Sequence, residues 1–210
     1  MKARTVTGPA GAVGARFIDE SLAELATDQA FVRALTWWAR HGSSHERLLQ
    51  TYWGQHLDRL IQARSGSTLA VTCEQRYWDL VFYDPAEPGH HDTGYVKPVA
   101  AIELKAWGGW SVGNPQLADF LADVDHVRSV NMPAAAVATC VHIERPTRWM
   151  SSSKTATADA AEIGRRMTNF RGLKDLGFSS RTFPPVDAGT WGSLSLSVWT
   201  YCNEHCERSS

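Results

Sequence analysis

No apolar run in these 210 residues is long enough to span a bilayer, which argues against a helical membrane protein. No segment repeats, no tract is of low complexity, and no linker divides the chain, so a solenoid or a string of modules is not expected. Cysteine is scarce, at four residues. Cys73 and Cys140 lie in apolar strand-like runs and are expected to be reduced core residues. Cys202 and Cys206, with His205 between them, offer only one metal-binding pair and match no strong zinc spacing. The start, Met1-Lys2-Ala3-Arg4, runs into glycine, alanine and valine without a signal-peptide core. A cytoplasmic protein is therefore the expectation. With 43% hydrophobic and 20% charged residues, the chain has the composition of one globular domain over 1–210.

Net charge of one sign is also lacking, since the total is −1. Its distribution is uneven. Residues 145–181 carry eight basic groups against three acidic ones, a net of +5. A locally basic segment on a near-neutral chain fits either a limited phosphate-binding footprint or a solvated helix face. Arg145, Arg148, Lys154, Arg165 and Arg166 are the candidates for contact with nucleic acid, arginine being suited to bidentate pairing with guanine.

Periodicity predicts a helix over 17–40, and a second, strongly amphipathic helix after Gly42. Ser43-x-x-Glu46 has the form of a capping box opening that second helix. His56, on its apolar stripe, is expected to pack in the core. From Thr68 the period changes. Leu69–Cys73, Asp79–Tyr83 and Val99–Ala106 read as strands, with Pro85–Pro98 as a long hairpin connection. Asn114 and Pro115 open a helix carrying Leu117, Phe120, Leu121, Val124 and Val127. Ala135–Ile143 reads as a buried strand, 157–170 as a helix and 193–201 as a half-exposed strand. Trp37, Trp38 and Trp53, three of nine tryptophans, are expected in the core of the helical layer. Trp107 and Trp110 are placed either in packing or along a binding groove.

One strand is chemically costly. In Val99-Ala100-Ala101-Ile102-Glu103-Leu104-Lys105-Ala106, side chains alternate between faces. Glu103 and Lys105 share one face, and Ile102, Leu104 and Ala106 fill the other. Buried charges are destabilising unless paired or bound to a metal. Trp78-Asp79-Leu80-Val81-Phe82 brings another carboxylate on the preceding strand. If the strands are neighbours, Asp79 and Glu103, with the carbonyl of Leu104, offer the hard oxygen ligands that Mg²⁺ prefers. Lys105 would orient a water and offset charge developing on a phosphate. The plainer reading is a salt-bridged strand in which Lys105 pairs with Asp79 or Glu103. Asp84 is a rival second carboxylate but falls on the opposite face from Asp79.

The Asp-led strand, the Glu-x-Lys strand, the capped helix and the buried strand together resemble the PD-(D/E)xK nuclease superfamily. The resemblance covers about 44–143. It implies an α/β fold with an α-β-β-β-α-β core, a central mixed sheet flanked by helices, and 144–210 as peripheral, DNA-contacting elements. Trp78 stands where the family's name has proline. The phrase Trp-Asp-Leu-Val…Ala-Ala-Ile-Glu-Leu-Lys is similar to type II restriction endonucleases, including the XhoI-type group. The resemblance implies Mg²⁺-dependent cleavage of double-stranded DNA to 5′-phosphates by a homodimer, with Asp79, Glu103 and Lys105 catalytic. It also suggests a further carboxylate from an early helix, for which Glu46 is the candidate and Glu74 an outside one. Gln116 distantly resembles the start of a Gln-x-x-x-Tyr motif, without the tyrosine. A repair or mobile-element nuclease, and a non-cleaving DNA-binding protein on the same fold, are the alternatives.

Overall fold

A computed structural model describes residues 12–41, 45–63, 68–75, 77–87, 95–108, 112–144, 159–189 and 192–206. Three helices come first: α1 (Ala15–Leu25), α2 (Gln29–His41) and α3 (Glu46–Gln62). Strands β1 (Ala70–Gln75), β2 (Trp78–Tyr83) and β3 (Ala100–Gly108) follow, then helix α4 (Asn114–Ser129) and strand β4 (Ala134–Ile143). Helix α5 (Ala160–Asn169) and strands β5 (Ser179–Thr182), β6 (Val186–Asp187) and β7 (Ser193–Cys202) complete the order. The sheet runs β1-β2-β3-β4-β7-β5, with β6 also on β7. Only β3 and β4 are parallel, as the intervening α4 crossover requires. The fold is therefore α/β, with a central mixed sheet flanked by helices. No helix among the described residues is long and apolar enough to cross a membrane.

Alternation along the strands sorts the core into two layers. Leu80, Phe82, Ile102, Leu104 and Val137 face α1, α2 and α3. Val81, Ala101, Trp107, Ala136 and Ala138 face α4 and α5, packing on Phe120, Val124, Ile163 and Met167. Central β4, nearly all Ala and Val over Ala134–Val141, is buried on both faces, as a strand with a parallel neighbour tends to be. Trp53 of α3 is fully buried, and its indole N–H donates to Ser21 Oγ of α1 at 2.9 Å.

Several local expectations change. The helix expected over 17–40 is two helices. Asp28 interrupts it because its Oδ1 accepts the N–H groups of Ala30 (2.8 Å) and Phe31 (3.0 Å), capping α2. Glu46 does not take the capping-box place: the N-cap of α3 is His45 and Glu46 is the first helical residue, two positions before the third, from which a side chain reaches back to the cap. Ser43 itself lies outside the described residues. In α4 the N-cap is Gly113 rather than Asn114, and Gln116 Oε1 accepts the Gly113 N–H at 3.0 Å. That bond accounts for the glutamine. Trp37 is 59% exposed, on the outer face of α2, so it is not a core residue, whereas Trp38 and Trp53 are. Trp107 is core, edge-on to Phe120. Trp110 lies outside the described residues. β7 is an interior strand, not a half-exposed one, because β4 lies on one side of it and β5 and β6 on the other. Its buried Ser197 is satisfied by Thr182 Oγ1 (3.0 Å) and His142 Nε2 (3.2 Å).

Candidate active site

The site begins where a ladder stops. β2 and β3 pair antiparallel from Phe82 opposite Ala100 to Leu80 opposite Ile102. Along β3 the peptide groups alternate in direction. Ala101 N–H donates to Pro133 and the Lys105 carbonyl accepts from Thr139, both toward β4. Even-numbered residues therefore present N–H and C=O toward β2. Beyond Ile102 no β2 residue remains in register to receive them. Carboxylates take over: Asp79 Oδ2 accepts the Leu104 N–H at 2.7 Å, and Glu46 Oε2 accepts the Ala106 N–H at 3.4 Å. The Leu104 carbonyl faces the same gap.

Asp79 is held from behind by Gln50 of α3. Gln50 Nε2 donates to the Asp79 carbonyl at 2.8 Å and lies 3.5 Å from Oδ1. Glu46, one turn before Gln50 on α3, reaches the same gap from the other side of the sheet. Its capping-box explanation is gone, and its place in this cluster remains. Glu74 is set apart, ion-paired with Arg47 at 3.7 Å. Asp84 closes a turn instead, accepting from Ala86 N–H and Thr68 Oγ1.

Glu103 and Lys105 both turn toward α4. Glu103 is 6% exposed, and its Oε1 meets His126 Nδ1 at 2.9 Å. Its charge and that of Asp79 oppose each other across the gap. Lys105 Nζ lies 3.2 Å from Asp123 Oδ2. The salt-bridged-strand reading thus fails in its stated form, because the lysine's ion-pair partner is neither strand carboxylate.

Four carboxylates (Glu46, Asp79, Glu103, Asp123) therefore surround one lysine and one histidine. Burial, then the charges of Asp79 and Asp123, push Glu103 up to about 9. Burial raises Asp123 to about 6 even against Lys105. Burial also raises Glu46, with Asp79 adding to the rise and Lys105 opposing it. Burial alone would lower Lys105, but Asp123 and Glu46 outweigh it and raise the amine, so it stays charged.

Among the described residues no group of three or more His, Cys, Asp or Glu side chains is placed to hold a metal ion. The donors at the gap are two neighbouring carboxylates, Asp79 and Glu103, and a peptide carbonyl. That set fits Mg²⁺, which usually takes one or two carboxylates and fills its remaining positions with water and phosphate oxygen.

Asp123, His126 and Gln50 escape a reading of the sequence. The available signal was an acid and a histidine three residues apart on α4, flanking the stripe of Leu117, Phe120, Val124 and Val127. Of the basic candidates, Arg145, Arg148 and Lys154 lie outside the described residues. Arg165 and Arg166 both pair with Glu162 on α5, at 2.6 and 2.9 Å, and Arg166 also donates to the Val112 carbonyl at 2.7 Å. Neither belongs to the carboxylate cluster, and Arg165 keeps much of its side chain in solvent. Cys202 and Cys206, at and just beyond the end of β7, are free thiols that donate to the Val13 and Ala134 carbonyls at 3.4 and 3.3 Å. Compared with known proteins, the chain matches no protein-family model, no curated protein and no solved structure.

Proposed function

We propose that the protein is a Mg²⁺-dependent endodeoxyribonuclease of the PD-(D/E)xK kind, acting as a type II restriction enzyme on double-stranded DNA. The observation that carries this reading is the Asp79 carboxylate on the Leu104 N–H at 2.7 Å, which sets it beside Glu103 where the β2–β3 ladder opens, with Lys105 two residues along on the same face. The order from α3 to β4, helix, three strands, helix, strand, is consistent with a restriction-endonuclease-like core.

Asp79, Glu103 and the Leu104 carbonyl would hold the ion. Bound there, Mg²⁺ supplies Lewis acidity toward a phosphate oxygen and makes a coordinated water more acidic. Lys105 orients the attacking water and its positive charge stabilises the negative charge that builds on the phosphate. The negative charge of Glu46 adds to what keeps the Lys105 amine protonated. Attack of the water oxygen on phosphorus breaks the bond to the 3′ oxygen; the proton that the water loses passes to solvent, and the departing 3′ oxygen takes one from solvent. The products are a 5′-phosphate and a 3′-hydroxyl. Cutting both strands of a palindromic site calls for a homodimer whose two-fold axis coincides with that of the DNA.

The test is incubation of the full-length protein with plasmid and Mg²⁺. Discrete fragments ending at one short sequence are expected, with Asp79→Asn and Lys105→Ala at least about a hundredfold slower, as the loss of some 3 kcal/mol of transition-state stabilisation implies. Cutting by either variant at the wild-type rate would sink the proposal. Nicking governed by DNA structure would move the assignment to a repair nuclease.

A further inference from the structure

We propose that Asp123 and His126 of α4 are positioning residues that divide the Glu103–Lys105 pair between them, His126 setting metal affinity through Glu103 and Asp123 setting the rate through Lys105. The inference rests on the nuclease reading above and assigns roles to two residues that reading does not use.

Because β3 and β4 are parallel, the connecting helix α4 must run back against β3. Later residues on the helix then meet earlier residues on the strand. Three helical residues advance about 4.5 Å and two strand residues about 6.6 Å, close enough for two side-chain pairs to form side by side. Both form: Asp123 Oδ2 with Lys105 Nζ at 3.2 Å, and His126 Nδ1 with Glu103 Oε1 at 2.9 Å. α4 is thereby a rack whose spacing matches that of Glu-x-Lys.

The histidine is fixed on a second side. Its ring stacks on Trp78, with centroids 4.4 Å apart and planes 20° from parallel. Trp78 is 7% exposed and adjoins Asp79 in β2, so one tryptophan links both carboxylate-bearing strands to the imidazole. With Oε1 held by His126, Glu103 has one oxygen left to turn toward Asp79 or toward an ion. A residue that orients a ligand's carboxylate in this way typically contributes a factor of about 10 to 100 in metal affinity. Asp123 acts on a different group. It fixes the direction of the ammonium, which touches the water and phosphate and not the ion. Misplacing such a group by about 1 Å costs on the order of a hundredfold in rate.

The experiment uses full-length protein stripped with EDTA. Mn²⁺ is titrated calorimetrically without DNA, and single-turnover cleavage is then measured at saturating Mn²⁺. His126→Ala is expected to weaken Mn²⁺ binding at least about tenfold, and by a larger factor than it lowers the saturated rate. His126→Asn, whose amide can donate from near the Nδ1 position, recovers most of that affinity. Asp123→Ala is expected to lower the saturated rate about tenfold or more while Mn²⁺ affinity shifts by a smaller factor, with Asp123→Asn intermediate. Unchanged Mn²⁺ affinity in His126→Ala would overturn the inference. So would parallel losses of affinity and rate in both residues' variants without recovery in the asparagine forms, the pattern of a purely structural ion pair. If wild type binds Mn²⁺ and cuts DNA while these variants behave as wild type, the inference alone fails. If wild type binds no Mn²⁺, the nuclease reading fails with it.

Discussion

Asp79 accepts the peptide N–H of Leu104 at 2.7 Å, standing in for a β2 residue that is no longer in register. The carboxylate is thus a structural acceptor and a candidate metal ligand at once. Two substitutions separate the roles. Asparagine keeps an acceptor oxygen for Leu104 and loses the charge, so Asp79→Asn should melt close to wild type while losing Mg²⁺-dependent thermal stabilisation. Asp79→Ala removes both and strands a partly buried N–H, at a cost of about 1–3 kcal/mol in urea denaturation. Equal destabilisation by the two variants would show that the hydrogen bond to Leu104 contributes nothing.

Glu103 makes the metal-free protein sensitive to alkali. Burial, Asp79 and Asp123 hold its folded-state pKa up to about 9, against 4.5 for the ordinary carboxyl. Between those values the folded state binds a proton that the unfolded chain releases, so stability present below about pH 4.5 is lost as pH rises toward about 9. Asp123, raised from 3.8 to about 6, acts in the same direction at lower pH. In EDTA the melting temperature should therefore fall between about pH 5 and pH 9, and Glu103→Gln should flatten the fall. On the proposed function Mg²⁺ would take the proton's place, and its stabilisation should then be larger at about pH 8 than at about pH 6. A Mg²⁺ shift that shrinks as pH rises would contradict this picture.

Legibility followed the range of the physics. β2, β3, β4 and β7 fall within a residue or two of their predicted bounds, because strand signals, alternating in β7 and a continuous apolar run in β4, depend only on near neighbours in sequence. The same alternation placed Glu103 and Lys105 on one face, away from Ile102 and Leu104. Glu46 carried two explanations in the sequence, and only the departure of β2 from β3 decides between them, which no local pattern encodes. Asp123 and His126 depend on the rotation of α4 about its axis, set by how Phe120 and Val124 seat on the alanines of β4. The short strands β5 and β6, rich in exposed polar residues, have no apolar period to detect; they exist because β7 offers an edge.

His45 works against Glu103 at the acid end. It is fully enclosed at the start of α3, its ring 4.0 Å from that of Trp38, and its Nε2 has no hydrogen-bond partner among the described residues. Burial pushes its pKa down from 6.5 to about 3. A depressed base contributes stability above its unfolded value and loses it as pH falls from about 6.5 through about 3, because the unfolded chain takes up the proton. His45→Phe keeps a ring against Trp38 and cannot be protonated. Its denaturation midpoint should hold level with wild type at about pH 7 and exceed it progressively below about pH 5. Parallel acid limbs in the two proteins would rule His45 out as a cause of acid unfolding.

Gly54 sets how closely the helix bearing Glu46 and Gln50 lies on the sheet. A Cβ there would stand 2.9 Å from Cys73 Sγ and 3.1 Å from Leu80 Cδ2. Alanine would gain about 1 kcal/mol in helix propensity. The gain is opposed by overpacking against β1 and β2, which typically costs about 1–3 kcal/mol. The sulfur, only one bond beyond its own Cβ, has little room to yield, so Gly54→Ala should be destabilising on balance. Gln50 and Glu46 lie one and two turns upstream on the same helix, and lifting α3 carries their side chains away from Asp79 and the Ala106 N–H. Cleavage should therefore fall at temperatures where the variant is still folded. Cys73→Ala removes the nearer obstacle. In a double-mutant cycle, Gly54→Ala should cost less in the Cys73→Ala background than in wild type, with a coupling of about 1 kcal/mol. Additive losses would place the clash elsewhere and detach Gly54 from the positioning of Glu46.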